Sequence, residues 1–216
     1  MLIAIPLRFL ENKLYVNIPY IKKIKPVFIT FDNFSLLKKC DGLLLPGGYD
    51  IDSKWYNSKI KCSNCSFYND FLDFLLIRYA IINDIPILGI CRGMQALNVY
   101  FNGSLKNIKG HYSKKHYIYF NNKKILVNSY HHQAINKIGD GLIIKAISND
   151  NIIEIIKHNQ YKILGLEFHP ELIDEDFIIN YFSKKLSQDV SLRYLDEIPS
   201  TWISFLLQQS LSLYLQ

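Results

Sequence analysis

Short apolar runs, each closed by proline or glycine, alternate along this chain with longer stretches in which apolar residues recur every three or four positions. This is the pattern of strands feeding helices in an α/β sheet. It predicts strands at Leu2 to Ile5, Pro26 to Thr30, Gly42 to Leu45 and Pro86 to Ile90. The last two are apolar at nearly every position, as strands covered on both faces must be, so they are expected at the centre of the sheet. Phe71, Phe74, Leu75, Tyr79 and Ile82 fall at helical spacing and predict a crossover helix between those two strands. Met94, Leu97 and Phe101 continue a helical period after Cys91 until Gly103, a residue type suited to a left-handed C-cap. Downstream, Lys124 to Ser129, Leu142 to Ile147, Ile152 to Ile156 and Ile163 to Phe168 are β-branched and partly alternating, which predicts strands, some of them antiparallel. Ser200 to Gln216 opens on an N-cap residue and is apolar nearly all round. It reads as a closing helix packed on its own domain, with a homodimer contact as the alternative.

Length and composition narrow this picture. The chain has 216 residues, 49% hydrophobic and 20% charged, enough for one domain with a substantial core. No apolar run approaches the roughly 20 residues that span a bilayer, and the first residues lack a leader pattern, so a cytoplasmic protein is expected. Cys40, Cys62, Cys65 and Cys91 are too few for a disulfide framework and read as reduced thiols. Cys62 and Cys65 have the spacing of a metal clip, but no second ligand pair stands nearby, so no metal site is expected. The net charge of +6 is spread along the chain. It favours an anionic small-molecule ligand over nucleic acid, and Lys109 to Lys124 reads as a solvated loop or edge strand.

Candidate chemistry centres on Cys91. Gly89, Cys91 and Gly93 form Gly-x-Cys-x-Gly between an apolar strand and a helix, the cysteine counterpart of a nucleophile elbow. A sulfur at a helix N-terminus is expected to have its pKa lowered by the helix dipole, with the Arg92 amide available to an oxyanion. Pro46-Gly47-Gly48, at the end of another central strand, is the candidate second donor. A base is needed as well, and His169, which ends an apolar strand and has Glu171 two residues on, is the best placed histidine. On spacing alone an ordinary surface histidine is the better reading.

Four segments carry a family resemblance: Asp41 to Gly48, Gly89 to Gln95, Val127 to Gln133 and Phe168 to Glu171. Together they resemble the class I glutamine amidotransferase-like proteins, and within them the C26 peptidase branch of γ-glutamyl hydrolases. The resemblance implies a three-layer, flavodoxin-like α/β sandwich with a mainly parallel sheet and a Cys91, His169, Glu171 triad acting through a γ-glutamyl thioester, with no cofactor. It further implies that Gly47, Gly48 and Arg92 hold the oxyanion and that Gln95, Ser129, Tyr130 and His131 line the glutamyl pocket. Ser53 stands where relatives often have proline, and Tyr49 where many are small or acidic, which bears on the leaving group. Lysine-rich loops favour an anionic one, as in related enzymes that free cytidine diphosphoramidate in bacterial capsule modification. Hydrolysis of γ-glutamyl-γ-aminobutyrate, and a glutaminase subunit feeding ammonia to a separate synthase, are the alternatives.

Overall fold

The computed structural model describes residues 1–10, 13–15, 24–62, 64–121, 123–172, 178 and 181–183. The expected closing helix at Ser200 to Gln216 lies outside the described residues. Nine strands form one sheet. In chain order they are β1 (Leu2–Pro6), β2 (Lys25–Ile29), β3 (Gly42–Leu45), β4 (Ile87–Ile90), β5 (Tyr112–Phe120), β6 (Lys123–Tyr130), β7 (Leu142–Ser148), β8 (Ile153–His158) and β9 (Ile163–Leu166). Their spatial order is β2-β1-β3-β4-β9-β8-β7-β5-β6. The first five run parallel. The other four continue the sheet as an antiparallel wing.

β3 and β4 are adjacent, pairing Leu43 with Ile87 and Leu45 with Gly89, and every residue of both is buried. Their side chains alternate between two cores, which is why an unbroken apolar run is required here. Leu43, Leu45 and Ile87 join the core under helices α1 (Phe67–Ile82) and α2 (Arg92–Tyr100), while Leu44, Leu88 and Ile90 pack with Ile178, Tyr181 and Phe182 on the other face. The result is the three-layer α/β arrangement. No helix among the described residues is long and apolar enough to cross a membrane.

Four expectations are corrected. α1 exists, with Phe74 buried and Phe71 and Tyr79 packed against the core as expected, but its buried face also takes in Asp70 and Asp73, while Ile82 is exposed. Two carboxylates on that face are stabilised by arginines brought from elsewhere, a pairing that apolar periodicity cannot show. The left-handed residue after α2 is Asn102 (φ 65°), not Gly103. A Cβ on Gly103 would stand 2.2 Å from the Asn98 amide nitrogen, so glycine is needed there for close approach. Most of Lys109 to Lys124 is the long, largely exposed strand β5, which lies between β7 and β6 rather than in a loop or at the edge, while Lys123 and Lys124 open β6, the edge strand. Finally, Cys62 and Cys65 are joined as a disulfide, their Cα atoms 5.9 Å apart and within normal bridging reach, and only Cys40 and Cys91 are free thiols.

Candidate active site

Cys91 ends β4 and begins α2 with φ 49° and ψ −109°, outside the regions open to an L residue. The flanking glycines make this turn sterically feasible. A Cβ on Gly93 would meet the Leu45 carbonyl oxygen at 2.0 Å, and one on Gly89 would meet the Gly93 backbone at 2.6 Å. Strand β3, the turn and the start of α2 are thus packed backbone against backbone, and the cysteine is the one side chain at the bend.

The structure brings Cys91, Gly47 and His169 together across three strand ends. A Cβ on Gly47 would lie 2.9 Å from His169 Cε1, 3.6 Å from His169 Nε2 and 3.8 Å from Cys91 Cβ, so the absence of a side chain leaves that space to a substrate. His169 follows β9, and its Nδ1 lies 2.7 Å from Glu171 Oε1. That contact leaves Nε2 as the ring nitrogen facing the cleft. Asn128, on β6, brackets the His169 main chain, donating from Nδ2 to its carbonyl (2.7 Å) and accepting its N–H on Oδ1 (2.9 Å). Tyr130 stands edge-on to the His169 ring at 5.9 Å.

Electrostatics at the sulfur correct one expectation. Burial, and next the Glu167 carboxyl, push the Cys91 thiol well above its ordinary pKa; the Arg92 N–H acts in the other direction but does not prevail. The resting residue is therefore a thiol, and a base must remove its proton as attack begins.

Beneath the turn lies a buried ionic network. Arg8 pairs with Asp73 at 2.7 Å and donates to the carbonyls of Pro46 (2.8 Å) and Gly47 (2.9 Å). The Arg92 guanidinium pairs with Asp70 and Asp73. Asp70 also accepts from the Asp52 amide and the Trp55 indole. Burial lowers the Arg8 pKa to about 10, so it stays charged at neutral pH. The network holds the Pro46-Gly47 backbone in place, and it turns the Arg92 side chain away from Cys91, leaving its amide as the group at the sulfur.

The other expected pocket residues divide. Gln95 is buried, with Nε2 donating to Glu167 Oε1 at 2.6 Å. Ser129 is buried, and its hydroxyl donates to the His111 carbonyl. His131 is buried with Nδ1 2.9 Å from the Gln133 carbonyl, and burial lowers its pKa to about 4, so the ring is neutral. Of this set, Tyr130 is the exposed side chain, and across the β5-β6 pairing it faces Tyr112, which is more exposed still. Arg8, Asp70, Asp73, Asn128 and Glu167 were missed from sequence. Two carboxylates three apart on the apolar face of α1 were the available signal for the first three.

Comparisons with known proteins give the family and the fold. A glutamine amidotransferase-like protein of Rickettsia prowazekii is 32% identical, over 66% of this chain and 74% of that protein. The γ-glutamyl-CDP-amidate hydrolase of Campylobacter jejuni is 34% identical, over 59% of this chain and 70% of its own. The glutamine-hydrolysing GMP synthase subunit of Methanococcus maripaludis is 26% identical, over 79% and 86%. Among solved structures, a GMP synthase subunit from Thermoplasma acidophilum superposes with a TM-score of 0.63 at 20% identity, over 87% of this chain and 95% of that one, a likeness of fold. The class-I glutamine amidotransferase family model matches residues 8–188, and the chain belongs to that family.

Proposed function

We propose that this chain hydrolyses a γ-glutamyl amide through a covalent thioester on Cys91. The observation that carries this reading is the strained Cys91 turn facing a histidine whose far nitrogen is held 2.7 Å from a carboxylate. The sulfur attacks the amide carbonyl carbon while His169 Nε2 takes the thiol proton. The amides of Arg92 and Gly48 hold the developing oxyanion. The C–N bond then breaks and His169 gives its proton to the departing nitrogen. Water, deprotonated by His169, attacks the thioester; glutamate leaves and the thiol re-forms. Glu171 orients the ring and stabilises its charged form. Gln95, Ser129 and His131 shape the glutamyl pocket from behind, and Tyr130 meets substrate directly.

A leaving group bearing phosphate and a flat ring is the reading we favour. The Campylobacter relative supports it, as do the exposed ring of Tyr130 beside His169 and the exposed Tyr112 paired with it across the strands, a surface on which a base can stack. The test is glutamate release from glutamine, γ-glutamyl-γ-aminobutyrate, γ-glutamyl peptides and a γ-glutamyl nucleotide phosphoramidate, with wild type and Cys91→Ala. Cys91-dependent preference for the phosphoramidate is expected; equal turnover of neutral and phosphorylated amides would remove the leaving-group assignment. The extended match to the Methanococcus GMP synthase component favours a second reading, a glutaminase that delivers ammonia to a synthase. It requires glutamine turnover that rises when a synthase partner is added.

A further inference from the structure

Next to the candidate catalytic residues is a second ionisable cluster, which shares only His131 with the proposed glutamyl pocket. Glu154, on β8, is fully buried, and neither carboxylate oxygen makes a hydrogen bond. What surrounds it is imidazole: His116 Nε2 at 2.9 Å, His111 Nδ1 at 3.9 Å and His131 Nε2 at 3.9 Å from Glu154 Oε1. A buried carboxylate without hydrogen bonds needs a cation close by.

Hydrogen positions sharpen the requirement. His111 Nε2 lies 2.8 Å from Asp150 Oδ2, and in the neutral tautomer that donates there Nδ1 keeps its lone pair. His131 Nδ1 lies 2.9 Å from the Gln133 carbonyl, so it too carries hydrogen, and Nε2 keeps its lone pair. These two lone pairs stand 3.2 Å apart, with the Glu154 oxygen 3.9 Å from each. A triangle of those sides has a centre about 2.1 Å from every corner, the length of a zinc bond to imidazole nitrogen or carboxylate oxygen.

The backbone is arranged to produce this convergence. Residues five apart on a regular strand face opposite sides, yet the rings of His111 and His116 lie 4.8 Å apart. Ser113, with φ 56°, inserts a bulge between Tyr112 and Lys114 and restores the two to one side. Asp150, itself held by Ser148, and the Gln133 carbonyl are the outer acceptors that orient metal-binding histidines.

We propose that His111, His131 and Glu154 bind one divalent transition-metal ion, of which zinc fits the donor set best. The partly exposed His116 provides the way in. With water in the fourth position, the ion is held by three protein ligands from three segments of the wing. It ties β5, the end of β6 and β8 into the wing that carries Asn128 and Tyr130.

The test uses the full chain, exposed to zinc or cobalt(II) and then dialysed against metal-free buffer. About one metal ion per chain by elemental analysis is expected, with the visible absorption of four-coordinate cobalt. Glu154→Gln and His111→Ala should each weaken cobalt binding by tenfold or more, and Cys91→Ala should not change it. Should those variants fail to fold, Asp150→Asn, at an exposed carboxylate, should still weaken cobalt affinity about tenfold. No stoichiometric metal in the wild type, or metal lost with Cys91→Ala, would overturn the assignment. So would nitrogen NMR of the metal-treated protein showing both His111 nitrogens protonated, since a proton would then be the cation.

Discussion

Cys91 holds a backbone conformation that only glycine adopts freely, and this can be measured apart from catalysis by comparing two inactive variants, Cys91→Ala and Cys91→Gly. Alanine keeps the strain at φ 49°, ψ −109°; glycine releases it. Such strain is worth about 1–3 kcal/mol. Against it, glycine costs about 0.5–1 kcal/mol of extra unfolded-state entropy relative to alanine and about 0.8 kcal/mol for one buried methyl. Cys91→Gly should therefore lie between about 0.8 kcal/mol below and about 1.7 kcal/mol above Cys91→Ala in stability. Ala96, fully buried inside α2, supplies the control. There the same alanine-to-glycine change has no strain to relieve and should cost about 2 kcal/mol. The contrast between positions is thus about 2 kcal/mol, or about 4–8 °C in Tm for a chain of this length. Urea midpoints of wild type, Cys91→Ala, Cys91→Gly and Ala96→Gly provide it directly. If glycine at position 91 is destabilising relative to alanine by as much as at position 96, the turn is not strained.

Asn128→Ala removes both hydrogen bonds to the His169 main chain and should lower kcat by about tenfold to a hundredfold with little change in KM, as steady-state kinetics would show. A change confined to KM would mean that Asn128 does not position the base. Because burial and Glu167 push the Cys91 thiol up, alkylation by iodoacetamide in the absence of substrate should be slow at neutral pH and still climb above the ordinary cysteine range. A flat profile down to pH 6 would instead indicate a preformed thiolate–imidazolium pair. His158 should make the fold acid-sensitive. Its Nδ1 accepts the Gln160 and Tyr161 amides, and burial lowers its pKa from 6.5 to about 4. Between those values the unfolded chain binds a proton that the folded chain refuses, so stability rises with pH. Moving from pH 7 down to 4.5 should cost about 1–2 kcal/mol after allowance for solvent screening, with a smaller loss in His158→Leu, read from urea midpoints.

The strands and helices bearing the candidate chemistry were legible because burial on both sides leaves a simple trace. Gly42–Leu45 appears unchanged in the structure, and Ile87–Ile90 differs from expectation by one residue. Gly-x-Cys-x-Gly announced a tight turn, since glycine at both flanks matters only where backbones touch, and the structure shows those contacts at Leu45 and within α2. The His169 and Glu171 pairing was legible too, two residues apart on one short turn.

What sequence could not carry was every feature whose meaning depends on a distant partner. Asp70 and Asp73 look like solvent residues until Arg8 and Arg92 reach them from other elements. Asn128 is one more polar strand residue until β9 brings the His169 backbone against it. Local reasoning assigned Cys91 a lowered pKa from the helix start, yet burial and Glu167, 76 positions along the chain in the numbering, outweigh that dipole. The convergence of His111, His116, His131 and Glu154 depends on a bulge and on three strands meeting in the wing. Periodicity records which faces are apolar; only the folded chain decides which charges meet there, because a buried charge is stable solely through the partner that tertiary contact supplies.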